Sequence, residues 1–185
     1  MLADDDLRRA VGRLPRGWTG HYLARTASTQ DQAREAARAG APSRSVFVAD
    51  FQSRGRGRQG RRWLASPGMA LMLSVLLREH HQAPRPWRST ALAAVALTEA
   101  VERVAPSLRP AIKWPNDLLV SDRKVAGILA ESAWDGRQLS IIVGIGVNVA
   151  TTAAELASLG TPATSLELAA GHAVSRTQSS ISSPR

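Results

Sequence analysis

The stretch DLLVSDRKVAGILAESAWDGRQLSIIVGIGVNV, residues 117–149, decides the fold. Three apolar runs, Asp117 to Val120, Lys124 to Ser132 and Leu139 to Val149, are separated only by Ser121-Asp122-Arg123 and by Trp134-Asp135-Gly136-Arg137. Both connections carry turn chemistry. Strands joined so briefly must be antiparallel neighbours, because a parallel crossover needs roughly a dozen residues or more. This part of the chain therefore reads as a β-meander.

Upstream the pattern changes. Ser28 to Gly40, STQDQAREAARAG, reads as a helix with Thr29 as cap, Gln32 as capping-box partner and Gly40 at the C′ position. Ser45 to Phe51 reads as a strand, and Met69 to Leu77, MALMLSVLL, as a strand buried on both faces. Ser89 to Val104 reads as the longest helix, with Ser89 as N-cap and Leu92, Val95, Ala96, Val101 and Val104 near helical spacing. Helices early and hairpins late predict an α+β class: a mixed, largely antiparallel sheet flanked by helices. RTQSSISSPR, residues 176–185, has no apolar periodicity and is expected to be a disordered tail behind a single domain of residues 1–175.

Composition narrows the function classes. A 185-residue chain with 44% hydrophobic and 21% charged residues is globular rather than disordered or fibrous. Its 24 basic residues against 15 acidic ones, a formal +9, suggest an anionic partner. Of the 24, however, 22 are Arg, and Ala is also abundant, so part of the charge reflects a GC-rich coding sequence. Against that background the two lysines, Lys113 and Lys124, mark places where a compact, movable ammonium is wanted. The absence of Cys excludes disulfides, thiolate zinc sites and a Cys nucleophile. The four histidines, His21, His80, His81 and His172, lack metal-ligand spacing and read as surface residues. An acidic opening at Asp4-Asp5-Asp6, without an apolar run of about 18 residues, predicts a cytoplasmic protein with no membrane partner.

Two clusters carry the chemistry. Arg54-Gly55-Arg56-Gly57-Arg58-Gln59-Gly60-Arg61-Arg62-Trp63 holds five arginines and three glycines with no acid. It satisfies GxGxxG formally, but Pro67-Gly68 leave no room for the helix that a dinucleotide site requires. A nucleic-acid patch, with phosphates on arginines and a base on the aromatic, is a second reading. An anion-binding loop of an active site is the third, and its position between two buried strands favours it. The second cluster, Lys113-Trp114-Pro115-Asn116-Asp117, also sits between strands, and Lys124 follows Asp117 by seven residues. A turn and an edge charge would explain each residue singly. Together they supply mobile cations, amide donors and a carboxylate, as a site handling a nucleotide and a carboxylate needs.

These clusters, with Arg123-Lys124-Val125-Ala126-Gly127-Ile128-Leu129-Ala130-Glu131 and Gly144-Ile145-Gly146-Val147-Asn148, resemble the successive motifs of biotin protein ligases in order and spacing. Ser28-Thr29-Gln30 and Ala163-Thr164-Ser165-Leu166 resemble two further elements, so the resemblance runs from about Tyr22 to Ala173. It implies the class II aminoacyl-tRNA synthetase/biotin ligase catalytic fold. It also implies a two-step reaction: biotin and MgATP give biotinyl-5′-AMP and pyrophosphate, and a lysine of a biotin carboxyl carrier domain then takes the biotinyl group. By the resemblance, Lys124, Arg56 and Arg58 are catalytic. Ser28, Thr29, Gln30, Gln52, Arg56, Gly57, Arg58, Lys124, Gly127 and Ile128 bind biotin. Arg58, Arg61, Trp63, Lys113, Asn116, Asp117 and Asn148 bind the nucleotide, with Asp117 a candidate ligand for Mg²⁺. Trp63 reads equally as a stacking surface for adenine or as a core residue.

The partners implied are biotin, ATP and a carrier domain of acyl-CoA or pyruvate carboxylases, with a homodimer open. Two departures from the family stand out. No room precedes Tyr22 for a DNA-binding winged helix, so operator binding is not expected. The C-terminal SH3-like barrel of the family is expected to be absent, which puts ATP use, carrier transfer and stability in question. Rival readings are a lipoate or fatty-acyl ligase on the same fold, an inactive biotin-binding remnant, and an Arg/Gly nucleic-acid binder.

Overall fold

The computed structural model describes residues 2–79, 86–134 and 138–177. Its centre is the apolar run expected to be covered on both sides. β5 (Ala70–Glu79) lies between β2 (Ser45–Gln52) and β9 (Leu139–Asn148), antiparallel to both. β9 continues through β8 (Arg123–Trp134) and β7 (Asp117–Val120) to the edge strand β6 (Pro110–Lys113), all antiparallel, so the meander forms as expected. Residues 135–137 of its second connection lie outside the described residues. At the opposite edge β1 (Thr19–Thr26) pairs parallel with β2, and the crossover between them is α2 (Thr29–Arg38). The seven-stranded sheet is thus mixed and largely antiparallel, with order β1-β2-β5-β9-β8-β7-β6.

Helices cover both faces of the sheet. On one, Ala33 and Ala37 of α2 pack on Phe47, Leu76 and Ile142. On the other, Leu7 of α1 (Leu2–Val11) meets Val46 and Val48. Ala94 of α3 (Pro86–Val104) meets Ile128, Ile141 and Val143, and Val101 joins the cluster of Leu118, Val125 and Val147. A two-stranded hairpin, β3 (Gly55–Arg56) with β4 (Arg62–Trp63), stands off the large sheet. Two one-turn helices follow the meander, α4 (Ala153–Ala157) and α5 (Leu166–Ala170). Among the described residues no helix is long and apolar enough to cross a membrane.

Several local expectations are corrected. α2 is capped one residue earlier than expected, at Ser28, with no side-chain cap bond; the Thr29 hydroxyl is drawn instead to Ser74 of β5. Gly40 does take the left-handed C′ conformation, at φ +85°. α3 begins at Pro86, so Ser89 is a buried interior residue rather than a cap. Leu92 is 71% exposed and Val95 49%, because the small Ala94 turns toward the sheet and admits a close approach. α1, β1, β6 and the short strands β3 and β4 add to the elements that the sequence pattern predicts. At the far end Arg176, the expected start of the tail, is tied down: its side chain is 7% exposed and its Nη1 lies 2.7 Å from Asp50 Oδ1. Residues 178–185, like His80 and His81, lie outside the described residues.

Candidate active site

Strand register creates the site. On the face that carries α2, successive cross-strand rows read Leu76–Ile142–Glu131, Ser74–Gly144–Leu129 and Met72–Gly146–Gly127. The rows change from bulky to glycine as they pass the N-terminus of α2. A hollow opens there, with Gly127 and Gly146 facing each other across the β8/β9 ladder as its floor. The Trp63 indole lies on that floor: a Cβ built on Gly146 would stand 2.5 Å from Trp63 Cε2, and one on Gly127 3.2 Å from Trp63 Cζ3. With the indole in place the hollow, partly open to solvent, keeps a free volume of about 50 Å³.

One wall is neutral and polar. Ser28, Thr29 and Gln30 come from the start of α2, Gln52 from the end of β2 and Ser74 from the middle of β5. Each hydroxyl has a single proton to give. Ser74 Oγ donates to Gln30 Oε1 at 3.0 Å and Thr29 Oγ1 to Gln52 Oε1 at 3.1 Å, and the two hydroxyl oxygens lie 2.9 Å apart. The Thr29 backbone N–H meets Gln52 Oε1 at 2.6 Å. Gln30 spends its amide on Leu129 O, Ile142 O and Glu131, so it braces the wall. The Ser28 hydroxyl is buried and has no partner. A buried hydroxyl left unpaired costs about 1–3 kcal/mol, which a ligand contact would recover.

The opposite end is charged. Lys124 Nζ lies 2.7 Å from Asp117 Oδ1 and 6.0 Å from the centre of the Trp63 ring. Asn116 Nδ2 donates to the same Asp117 oxygen at 3.0 Å, and Asn116 Oδ1 accepts from Arg58 Nη1 at 2.9 Å. Arg58, Asn116 and Lys124 line the hollow together with the polar wall. They also line an adjoining pocket of about 150 Å³, with Arg61, Asp117, Asn148 and Thr161. Asn148 is buried and donates to Thr164 O at 3.1 Å, which holds the Ala163–Thr164 segment beside Lys124. Asp117 is already paired with Lys124 and Asn116, and among the described residues no cluster of His, Asp or Glu could cage a metal ion.

The structure thus gathers Ser28, Thr29, Gln30, Gln52, Arg56, Gly57, Arg58, Trp63, Asn116, Lys124, Gly127 and Ile128 around the hollow, and Arg61, Asp117 and Asn148 around its extension. Lys113 is the exception. It is the exposed last residue of edge strand β6, paired in the ladder with Asp117, and lines neither space. Trp63 is half-buried: it rests on glycines with its Nε1 buried and unpartnered. Ser74 escaped the sequence reading, although it is the only polar residue inside the run MALMLSVLL. Asp31 and Glu131, which hold Arg56 at 3.0 and 2.7 Å, escaped it as well.

Known proteins resemble this chain in sequence and fold. The model of the Biotin/lipoate A/B protein ligase family matches residues 22–148. A Bacillus spizizenii protein described as bifunctional ligase/repressor BirA is 39% identical over 177 residues, which are 95% of this chain and 54% of that protein. A biotin--[acetyl-CoA-carboxylase] ligase of Paracoccus denitrificans is 39% identical over 156 residues, 82% of this chain and 64% of that one. The chain therefore spans between half and two thirds of these relatives. Among solved structures, the Aquifex aeolicus biotin protein ligase in complex with biotin and ATP superposes with TM-score 0.71 at 30% identity, covering 83% of this chain and 62% of that one. The Leishmania major biotin protein ligase with biotinyl-5-AMP gives TM-score 0.68 at 26% identity, covering 85% of this chain and 66% of that one. With the family model spanning most of the chain and the fold shared, the chain belongs to the biotin/lipoate A/B protein ligase family.

Proposed function

We propose that this chain carries the catalytic site of an ATP-dependent biotin protein ligase, which forms biotinyl-5′-AMP and passes the biotinyl group to a lysine of a carboxylase carrier domain. The observation that carries this reading is a single hollow with a neutral hydrogen-bonding wall at one end and Lys124, Arg58 and Asn116 at the other. A ureido ring offers two N–H groups and one carbonyl. The unpartnered Ser28 hydroxyl and the Gln52 amide stand where such a ring would be read, with Thr29 fixed between them. The dithiolane of lipoate or a fatty-acyl tail would leave these groups unpaired, which disfavours the related lipoate chemistry.

Adenylation brings a carboxylate to an already anionic α-phosphate, so the residues' work is alignment and charge neutralisation. Lys124 is movable and shares the space with Arg58. Held by Asp117 at rest, its ammonium can pass to the carboxylate and phosphate oxygens when the substrates enter. Asp117, once Lys124 has moved away, would be the carboxylate able to face Mg²⁺ brought with ATP, and the metal would supply neutralisation of the phosphate charge there. Transfer follows when a carrier lysine attacks the acyl carbon and AMP leaves.

Purified protein incubated with biotin, MgATP and a carrier domain, analysed by mass spectrometry, tests the reading. Biotinyl-AMP and biotinylated carrier are expected, and Lys124→Ala should lower adenylate formation by about 10²–10³-fold with the fold intact. If wild-type protein makes no adenylate, the reading fails.

A further inference from the structure

Helix α3 carries its bulk outward. Ser89, Thr90, Ala94 and Val101 are its buried residues, while Trp87, Leu92 and Val95 project from it and are each about half exposed or more. With Ala91 and Ala96 these three line one shallow groove along the outer face of the helix. Bulky apolar side chains left in water forfeit burial that a partner surface would recover. The two ends of the groove are charged, with Arg88 at one and Glu99 at the other, both exposed. Among the described residues neither has an ion-pair partner, and Arg88 only lies over the ring of its neighbour Trp87, at 5.6 Å.

We propose that this face docks a second copy of the chain, whose α3 lies antiparallel across it about a two-fold axis, giving a symmetric dimer. The pattern is self-complementary. Arg88, Leu92, Val95 and Glu99 follow at intervals of four, three and four residues, the spacing of a helix–helix seam. They are also symmetric about the point midway between Ala93 and Ala94: Arg88 and Glu99 stand equally far from it, as do Leu92 and Val95, and Ala91 and Ala96. A two-fold axis through that point sets Arg88 against the partner's Glu99, Leu92 against the partner's Val95 and Ala91 against the partner's Ala96, and every contact recurs in reverse. The alanines keep the flanks low enough for helix axes to approach to about 8–10 Å. A parallel pair would instead bring arginine to arginine and glutamate to glutamate, so the charges select the antiparallel arrangement. α3 packs on the sheet face opposite to α2 and the hollow, and both sites of the dimer therefore stay open.

The dimer is independent of the ligase reading, and its test uses the full chain without ligands. In sedimentation velocity the protein should pass from monomer to dimer between about 1 and 200 µM, because one helix pair buries less than the roughly 1,200–2,000 Å² of a stable interface. Arg88→Glu and Glu99→Arg each turn two attractive contacts per dimer repulsive, so each should weaken dimerisation by about tenfold or more. A mixture of the two variant chains restores opposite charges at both contacts and should recover the wild-type affinity as a heterodimer. Leu92→Glu should leave only monomer. All three side chains are exposed, so the urea midpoint of the dilute variants should match that of the dilute wild type. A wild type that stays monomeric at about 200 µM overturns the proposal. So does a dimer that all three substitutions leave intact, and so does a mixture of the charge variants that fails to recover dimer.

Discussion

Replacing Gly146 by alanine adds one methyl group where the structure has no room for it. The new Cβ would lie 2.5, 2.7 and 2.8 Å from Cε2, Cδ2 and Cζ2 of Trp63. Carbon atoms rest at about 3.5–4.0 Å, so the indole must retreat by about 1 Å or leave the floor. β9 cannot yield instead, because it is laddered on both sides, to β5 and to β8. Overpacking of this kind costs about 1–3 kcal/mol, and a ring that gains solvent on leaving recovers part of it. The variant is expected to lose about 1–2 kcal/mol in urea denaturation and to red-shift its tryptophan emission. Trp63→Phe, measured alongside, isolates the contribution of Trp63 from those of Trp18, Trp87, Trp114 and Trp134. By the proposed function the methyl also occupies ligand space, so adenylate yield falls. A variant with wild-type stability and unshifted emission would refute the stacking of Trp63 on this floor.

Three further outcomes are expected. Ser28→Ala removes a buried hydroxyl that has no partner, so stability should hold or rise by up to about 1 kcal/mol while biotin affinity drops roughly tenfold; calorimetry and denaturation together read both signs. Arg78 binds the C-terminal end of α2 through Ala37 O, at 2.8 Å, and Ala41 O, and reaches Ser140 Oγ. Arg78→Met should therefore cost about 2–4 kcal/mol in urea denaturation, and a loss within 0.5 kcal/mol would count against that anchoring. Glu155 accepts hydrogen bonds from Ser66 and from Thr152, which hold its carboxyl below the ordinary value. A group depressed in the fold stabilises it above the unfolded pKa and loses that contribution as pH falls through the folded one. The stability gap between wild type and Glu155→Gln should accordingly be present at pH 7 and close in acid; a gap that widens in acid would reverse the sign.

Periodicity and short connections made the meander, β2, β5 and the two long helices legible, because each buries its own apolar pattern. The strands missed were of a different kind. TGHYLART in β1 and PAIK in β6 are edge strands, weakly patterned because only one neighbour and one face constrain them. The Ser89 cap failed for a related reason: the helix already includes Pro86-Trp87-Arg88, and Ala-rich α3 chose its buried face by proximity rather than by the bulk of Leu92 and Val95.

The sequence by itself determined the class of sheet, the position of the Arg/Gly loop between two strands, and the presence of two lysines among arginines. Those properties are local, fixed by spacing and residue type. Only the tertiary structure decided which lysine lines the hollow, since Lys113 ends on an edge strand while Lys124 turns onto Asp117. It alone set Gly127 opposite Gly146 to make a floor for Trp63, and brought Asp31 and Glu131, a hundred residues apart in the chain, onto one arginine. Such meetings depend on strand register and crossover, which no stretch of the chain carries alone.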